Sequence, residues 1–445
     1  MTDADLARLA AEAYVYGFPL VFNLDQVKRF VTSGLGSNPP APFNEFSHSR
    51  KLAGPEETFV SVNNDTIYSI AQVDLSVGPV RLRVPDTAGR YYVLQFVDAW
   101  TDNFAYVGRR ATGTSAGEFL LVPPAWTGPR PDGSSVIEFP TRVGTIVGRW
   151  ACAGSDDLAT VYALQQATDL RPLDETAIPE GLPEPDPKVP EPLQFLEKLR
   201  TWSQAFPPAQ RDLALQERLA ACGTGVSGDS PYVSAQPKFS ELVIAGLKAG
   251  ESNLRSTLRS GAYSRVVNGW NLTLHVFDYN IDFFEVGALD DDRFKLTDPS
   301  LRLMARAGAA LGGLWGNHAY EAAYVMTYVD DQGEELTGHH TYNLRLSPTP
   351  PVGAFWSLTM YDLPHFYLVE NEIDRYSIGD RTPGISYDAD GGLTITISHG
   401  RPHDPTAAAN WLPAPAGGFR PILRMYVPGP AVLDGTYVIP AITRL

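Results

Sequence analysis

Gly89-Arg90-Tyr91-Tyr92-Val93-Leu94-Gln95-Phe96-Val97-Asp98, set beside Gly353-Ala354-Phe355-Trp356-Ser357-Leu358-Thr359-Met360-Tyr361-Asp362, decides the reading of the fold. Both stretches carry Gly, two aromatics, Leu, a bulky apolar residue and Asp at the same offsets. Two further correspondences follow in the same order along the chain. Gly117-Glu118-Phe119-Leu120-Leu121-Val122 resembles Gly392-Leu393-Thr394-Ile395-Thr396-Ile397, and Thr145-Ile146-Val147-Gly148-Arg149-Trp150 resembles Ile422-Leu423-Arg424-Met425-Tyr426. Self-similarity at a long interval marks a structural unit used twice.

Around the first of these stretches, from Phe59 to about Ala153, short alternating or apolar runs are separated by Gly and Pro. That spacing predicts an antiparallel sandwich or jelly roll. The same pattern resumes at Tyr320 and runs to the end. Between the two, helical periodicity appears over Asp156–Leu170, Leu193–Phe206, Pro208–Cys222, Glu241–Arg259 and Pro299–Gly316, with an exposed Pro/Glu/Asp linker at Pro179–Pro187. At the N-terminus, Leu6, Leu9, Ala10, Ala13 and Tyr14 predict a helix stopping at Tyr16-Gly17-Phe18-Pro19; a second follows from Leu20 to Val31, and then a surface loop over 35–57. The expected architecture is mainly β with α additions: two related antiparallel β-sandwich or jelly-roll-like domains joined by a helical segment. The divisions fall at 1–58 (helices and loop), 59–155 (first sandwich), 156–318 (helical connection) and 319–445 (second sandwich). Two like sandwiches side by side leave a crevice, a common place for a ligand.

Composition narrows the function classes. With 35 Lys plus Arg against 51 Asp plus Glu, the net charge of −16 repels nucleic acid and anionic membrane. No run approaches the roughly 18 uninterrupted apolar residues of a membrane helix, and the opening Met1-Thr2-Asp3-Ala4-Asp5 is acidic where a secretory signal is basic. A cytoplasmic protein is expected. Two cysteines, Cys152 and Cys222, make neither a disulfide framework nor a structural zinc site. The aromatic content favours a self-associating chain, since a monomer would leave apolar patches exposed.

Motifs that would name a reaction outright are missing. Gly113-Thr114-Ser115-Ala116-Gly117 fits the nucleophile pattern, but a strand rather than a helix follows it, so a hairpin turn is the better reading. No dinucleotide or phosphate loop occurs, and no organic cofactor is expected; scattered carboxylates leave room for a divalent metal. His399 and His403 flank Gly and Pro in a surface loop, and Asp330–Glu335 reads as a solvated turn. His275-Val276-Phe277-Asp278 is denser in chemistry, with Asp282 and Glu285 nearby.

Phe59–Ser69 is the stretch richest in site-like residues, holding Asn63, Asn64, Asp65 and Tyr68 between apolar runs. Asp65 reads equally as a turn anchor or as an acid, base or ion ligand beside Tyr68. Asp98 among aromatics either pairs with Arg90, Arg109 or Arg110 or works chemically, and pairing is the commoner fate.

Several stretches resemble a known bacterial family. Ala13–Pro19, Asn64–Ser69, Gly89–Tyr92, Asp98–Thr101 and Gly108–Arg110 are similar to domain of unknown function 1254. Ala354–Asp362, Asn371, Arg375–Gly379, Asn410–Pro415 and Leu433–Tyr437 resemble its usual partner, domain of unknown function 1214. The resemblance implies a two-sandwich β protein with helical additions and implies no reaction or catalytic set. Relatives are commonly exported, and this chain departs by its acidic start.

Two functions are open. One is a cofactor-independent enzyme of hydrolase or lyase type, acting on a small, partly apolar or ring-containing molecule between the sandwiches. Asp65 or Asp98 would be its acid or base and Tyr68 a second proton donor, with Asn64 beside the substrate and Arg90, Arg109 or Arg375 clamping developing charge. The other is a non-catalytic binder of a small molecule or carbohydrate, stacking it on Trp100, Trp356, Tyr361 and Trp411. Charged residues interleaved with the aromatics favour the enzyme.

Overall fold

The computed structural model describes residues 2–57, 61–129, 135–260 and 264–445, so Phe59 and Val60 of the Phe59–Ser69 stretch lie outside the described residues. The first sandwich is built from β1 (Phe46–His48), β2 (Thr66–Asp74), β3 (Val80–Val84), β4 (Tyr92–Asp98), β5 (Asn103–Gly108), β6 (Gly117–Val122), β7 (Ser135–Glu138), β8 (Val143–Ala151) and β9 (Asp169–Pro172). The second uses β10 (Arg265–Val267), β11 (Trp270–Leu272), β12 (Ala322–Thr327), β13 (Tyr342–Leu346), β14 (Val352–Asp362), β15 (Ser377–Gly379), β16 (Leu393–Ser398), β17 (Trp411–Pro413), β18 (Phe419–Pro428) and β19 (Thr443–Arg444).

Strand order shows the repeat. One sheet of the first sandwich runs β1-β2-β8-β4-β5, and its counterpart runs β10-β11-β12-β18-β14-β15. The partner sheets run β7-β6-β3-β9 and β17-β16-β13-β19. Gly89–Asp98 and Gly353–Asp362 thus lead into β4 and β14, which hold the same place in their sheets. Pairing is antiparallel except at β6–β7 and β16–β17, parallel at the same point of each half.

Side-chain alternation along each strand fills the cores. Tyr92, Leu94 and Phe96 of β4 meet Leu82, Phe119 and Ile137 of the facing sheet, while Trp356, Leu358 and Met360 of β14 meet Leu344, Ile395 and Leu412. The other faces of these two sheets are not left to water, because the sandwiches pack against each other there. Tyr91, Val93, Tyr106, Phe355 and Tyr426 form a cluster at this seam, with the Phe355 and Tyr426 rings stacked at 4.1 Å. Sheets covered on both sides read as nearly continuous burial, as β4, β8 and β18 do.

A helical layer lies beside the first sandwich. Helix α1 runs unbroken over Asp3–Ser33 with Pro19 inside it, where the sequence predicted two helices. Proline costs a helix interior about 3 kcal/mol. That cost is offset because Leu6, Leu9, Ala13, Tyr16, Leu20, Leu24 and Val27 are buried in one core along the whole length. Against α1 lie α3 (Gln194–Ala205), α5 (Pro237–Ser260) and α6 (Pro299–Gly313). The approach of α5 depends on glycine: a Cβ on Gly246 would stand 2.2 Å from the Ala7 carbonyl oxygen, and one on Gly250 2.5 Å from that of Ala11. The Pro179–Pro187 linker is held down rather than loose, since the Gly181 N–H donates to Asp74 and the Trp202 indole donates to the Pro183 carbonyl.

His318 is buried at the seam, where the Tyr106 and Tyr320 hydroxyls both lie 2.9 Å from its Nδ1. Burial lowers its pKa to about 4. The unfolded chain then binds a proton that the fold does not between pH 6.5 and about 4, so stability is lost as pH falls through that window. The loss should approach about 3 kcal/mol. His48, half-buried between β1 and β2, moves in the same direction through burial and Arg50. Thermal melts at stepped pH should show the fall, and His318→Gln should flatten part of it; an unchanged slope in that variant would exclude His318 as the source.

Candidate functional site

The seam holds polar residues where both sheet faces are dry. Across the β2–β8 ladder Tyr68 stands opposite Arg149, and across the β12–β18 ladder Tyr324 stands opposite Arg424. These are equivalent positions of the repeat, so the two Tyr–Arg pairs face each other from the two sandwiches. Three residues before each tyrosine sits an acid, Asp65 in one half and Glu321 in the other. Each acid crosses to the opposite sandwich. The Asp65 carboxylate accepts hydrogen bonds from Ser357 Oγ at 2.6 Å and Tyr426 OH at 3.1 Å, and the Glu321 carboxylate accepts one from Tyr91 OH at 2.9 Å.

The symmetry fails at one point. Glu321 forms a buried ion pair with Arg110, whereas among the described residues no cationic side chain lies within 4.0 Å of the Asp65 carboxylate. The Asp65 carboxylate is held by hydroxyl donors, while Arg381 reaches only the Asp65 backbone carbonyl, at 3.3 Å. Asn63 shapes the turn, accepting from the Asp65 N–H at 2.6 Å and donating to Tyr426 OH at 2.8 Å. The turn-anchoring role thus falls to Asn63, and the Asp65 carboxylate is left for the seam.

The arginines are held by neutral groups. Arg149 donates to Gln95 Oε1 (2.7 Å), Asn317 Oδ1 (3.3 Å) and the Trp315 carbonyl (2.8 Å), with its guanidinium 5.4 Å from the Tyr68 ring. Arg424 donates to Thr359 Oγ1 (2.8 Å), Tyr361 OH (2.7 Å) and the Ser61 carbonyl (3.0 Å). Both are at least 95 % buried, and among the described residues neither has a carboxylate within 4.0 Å. Asn317 also donates to Tyr324 OH, so that one phenol is linked to both arginines. Burial raises the Tyr324 pKa while Arg149 and Arg424 pull it back. Burial, then the Asp65 charge, holds the Tyr426 phenol well above its ordinary range. Tyr68 and Tyr324 are half-buried, the most accessible of these tyrosines and arginines.

Of the residues singled out from sequence, Asp65, Tyr68 and Tyr361 meet at the seam. Asn64 is at its rim, donating to the Ala53 carbonyl and accepting from Ser377. The rest lie elsewhere. Arg90 is spent on a two-pronged contact with Asp157, Arg109 is exposed, and Arg375 donates to the Ala409 and Trp411 carbonyls. Trp356 and Trp411 are core residues of the second sandwich sheets, and Trp100 packs on Tyr16 with its indole donating to the Phe206 carbonyl. These tryptophans are about 98 % buried and offer no stacking face. Sequence reasoning missed Arg149, Arg424, Tyr324 and Tyr426, although the repeat itself sets Arg149 beside Arg424.

Asp98 ends β4 far from Arg90, Arg109 and Arg110 and meets a different set of arginines. It accepts from the Asp102 N–H at 2.8 Å, while the Asp102 carboxylate takes Arg211, and Arg306 reaches Asp212 at 3.2 Å. Burial, then the neighbouring Asp102, push the Asp98 carboxyl well above the usual range. The His275 ring, another candidate, meets the buried Asp278 carboxylate at 2.6 Å, and Asp282 goes to Arg211. Among the described residues no three His, Cys, Asp or Glu side chains converge as a metal site requires, and no helix is long and apolar enough to cross a membrane.

Residues 43–172 match the family model described as protein of unknown function (DUF1254), and residues 321–430 match protein of unknown function (DUF1214). The chain joins a DUF1254 region to a DUF1214 region. The first takes in β1 to β9 and the second β12 to β18, so the two families correspond to the two copies of the repeat. Asp65, Tyr68 and Arg149 come from the DUF1254 region, and Tyr324, Tyr361, Arg424 and Tyr426 from the DUF1214 region. The VPA0106 protein from Vibrio parahaemolyticus is similar over all of both chains at 24% identity and a TM-score of 0.75, a likeness of fold. An uncharacterized protein from Burkholderia cenocepacia matches all of this chain and 95% of its own at 13% identity and a TM-score of 0.46. No curated protein matches the chain.

The upward shift of Asp98 has a direct consequence. Burial disfavours the charged form of its carboxyl, so Asp98→Asn, which keeps the shape without the charge, should cost little stability. Asp102→Asn removes a counterion from buried Arg211 and should cost on the order of 3 kcal/mol. Equal destabilisation by both changes, measured by denaturant unfolding, would overturn this difference between the two carboxyls.

Proposed function

We propose that the protein is an enzyme of acid–base type, a hydrolase or lyase in class, acting at the seam on a small, ring-containing molecule that bears an acidic group. One observation carries this reading: the repeat buries two guanidinium groups, Arg149 and Arg424, on neutral acceptors alone, beside the unpaired carboxylate of Asp65. A buried charge without a partner is costly to the fold, and such sites are where binding and catalysis concentrate. Guanidinium is matched in shape and charge to a carboxylate, which gives the substrate its anchor.

In this reading Arg149 and Arg424 bind and orient the acid. Asp65 moves the proton, with Ser357 and Tyr426 fixing its orientation. Tyr68 and Tyr324, both half-buried, supply aromatic faces for the ring. The binder alternative rests on the same anchor without turnover, and the variant Asp65→Asn separates the two. The amide oxygen can still accept from Ser357 and Tyr426, so folding should be nearly intact, at a cost of about 1 kcal/mol. Turnover should fall roughly a hundred- to ten-thousand-fold, the usual contribution of a general acid or base. The assay is a panel of small aromatic acids and their esters, followed by mass change. A variant that turns substrate over as fast as the native protein would remove Asp65 from the mechanism, and binding by the native protein with no turnover would leave only the binder.

A further inference from the structure

Resting on the anionic-substrate reading, the charge count at the seam specifies the ligand further. Three guanidinium groups lie buried here: Arg149, Arg424 and Arg420, the last donating to Tyr328 OH and to Ser61. The Arg420 Nε is buried without a hydrogen-bond partner, and the guanidinium stands 4.1 Å from the Phe366 ring centroid. Against these three positive charges the seam sets, among the described residues, the Asp65 carboxylate; Glu321 and Arg110 cancel each other, and half-buried Arg381, over the Phe355 ring, is balanced by the adjacent Asp380. The excess is two positive charges.

The two symmetric arginines sit on different sheets, Arg149 on β8 and Arg424 on β18, each opposite its own tyrosine. The repeat therefore offers two anchors, one from each sandwich. We propose that the ligand is a dicarboxylate, with one carboxylate on each copy of the repeat. Such a ligand neutralises the excess charge and presents one negative group to each guanidinium. It also places its middle against Tyr324, which is bonded through Asn317 towards Arg149 and lies opposite Arg424. The Asp65 carboxylate then faces the part of the molecule between its two charged ends, where a proton would be taken or given.

The test is calorimetric titration of the whole purified chain at fixed ionic strength with succinate, glutarate and phthalate, against butyrate, benzoate and inorganic phosphate. At least one dicarboxylate should bind about tenfold tighter or more than the monocarboxylate of like size, the effect of roughly one added charge contact. Arg149→Gln and Arg424→Gln should each bring dicarboxylate affinity down to about the level of the monocarboxylate on the native chain. Should either variant fold poorly, the comparison between acids on the native chain still decides. Equal affinity for the mono- and dicarboxylates, or phosphate binding as tightly as any dicarboxylate, overturns the two-ended ligand and leaves the anionic-substrate reading standing. Failure of every acid to bind overturns both.

Discussion

Burial of both faces of two sheets is the constraint on which this molecule depends. Once the sandwiches pack through β2, β8 and β4 on one side and β12, β18 and β14 on the other, any charge on those faces leaves water. An isolated charge there costs several kcal/mol unless hydrogen bonds or a counter-charge compensate it. The seam nevertheless carries Asp65, Glu321, Arg110, Arg149, Arg420 and Arg424. Its two acids cross in opposite directions, so the same contacts that hold the sandwiches together also place the chemistry between them.

The repeat explains why the site needs both halves. Neither the DUF1254 region nor the DUF1214 region contains a complete group: the first supplies the unpaired carboxylate and one guanidinium, the second the hydroxyls that orient that carboxylate and the other guanidinium. The repeat carries two equivalent Tyr–Arg pairs, set apart by the pairing of Glu321 with Arg110, which Asp65 lacks. Symmetry accounts for the position of each group. The helical layer is a separate structural problem, solved by close glycine contacts between α1 and α5 and by the ion network around Asp102 and Arg211.

A good part of the fold was legible in the sequence. The period-two runs and the Gly-x-aromatic-aromatic-x-Leu-x-apolar-x-Asp repeat determined two related β units, because alternation follows from strand geometry and a repeated pattern from a repeated core. Asp65, Tyr68 and Tyr361, which meet at the seam, were legible as candidates, being polar groups set inside apolar runs. What only the tertiary structure decided is which face of each strand meets the other sandwich. Arg149 and Arg424 occupy the same offset in the repeat, yet a guanidinium on an alternating strand looks like a solvent-facing residue until the second sandwich covers it. Trp100, Trp356 and Trp411 show the converse, since large aromatics look like a stacking surface until their strands and loops turn them into the cores. Pro19 was likewise undecidable locally, where its backbone cost is fixed but the burial that offsets it comes from helices some 170 to 240 residues further along the chain. Sequence set the local periodicity, whose cause lies within a few residues; the dielectric around each charge and the partner of each face depend on chain segments far apart, and only the packed structure brings those together.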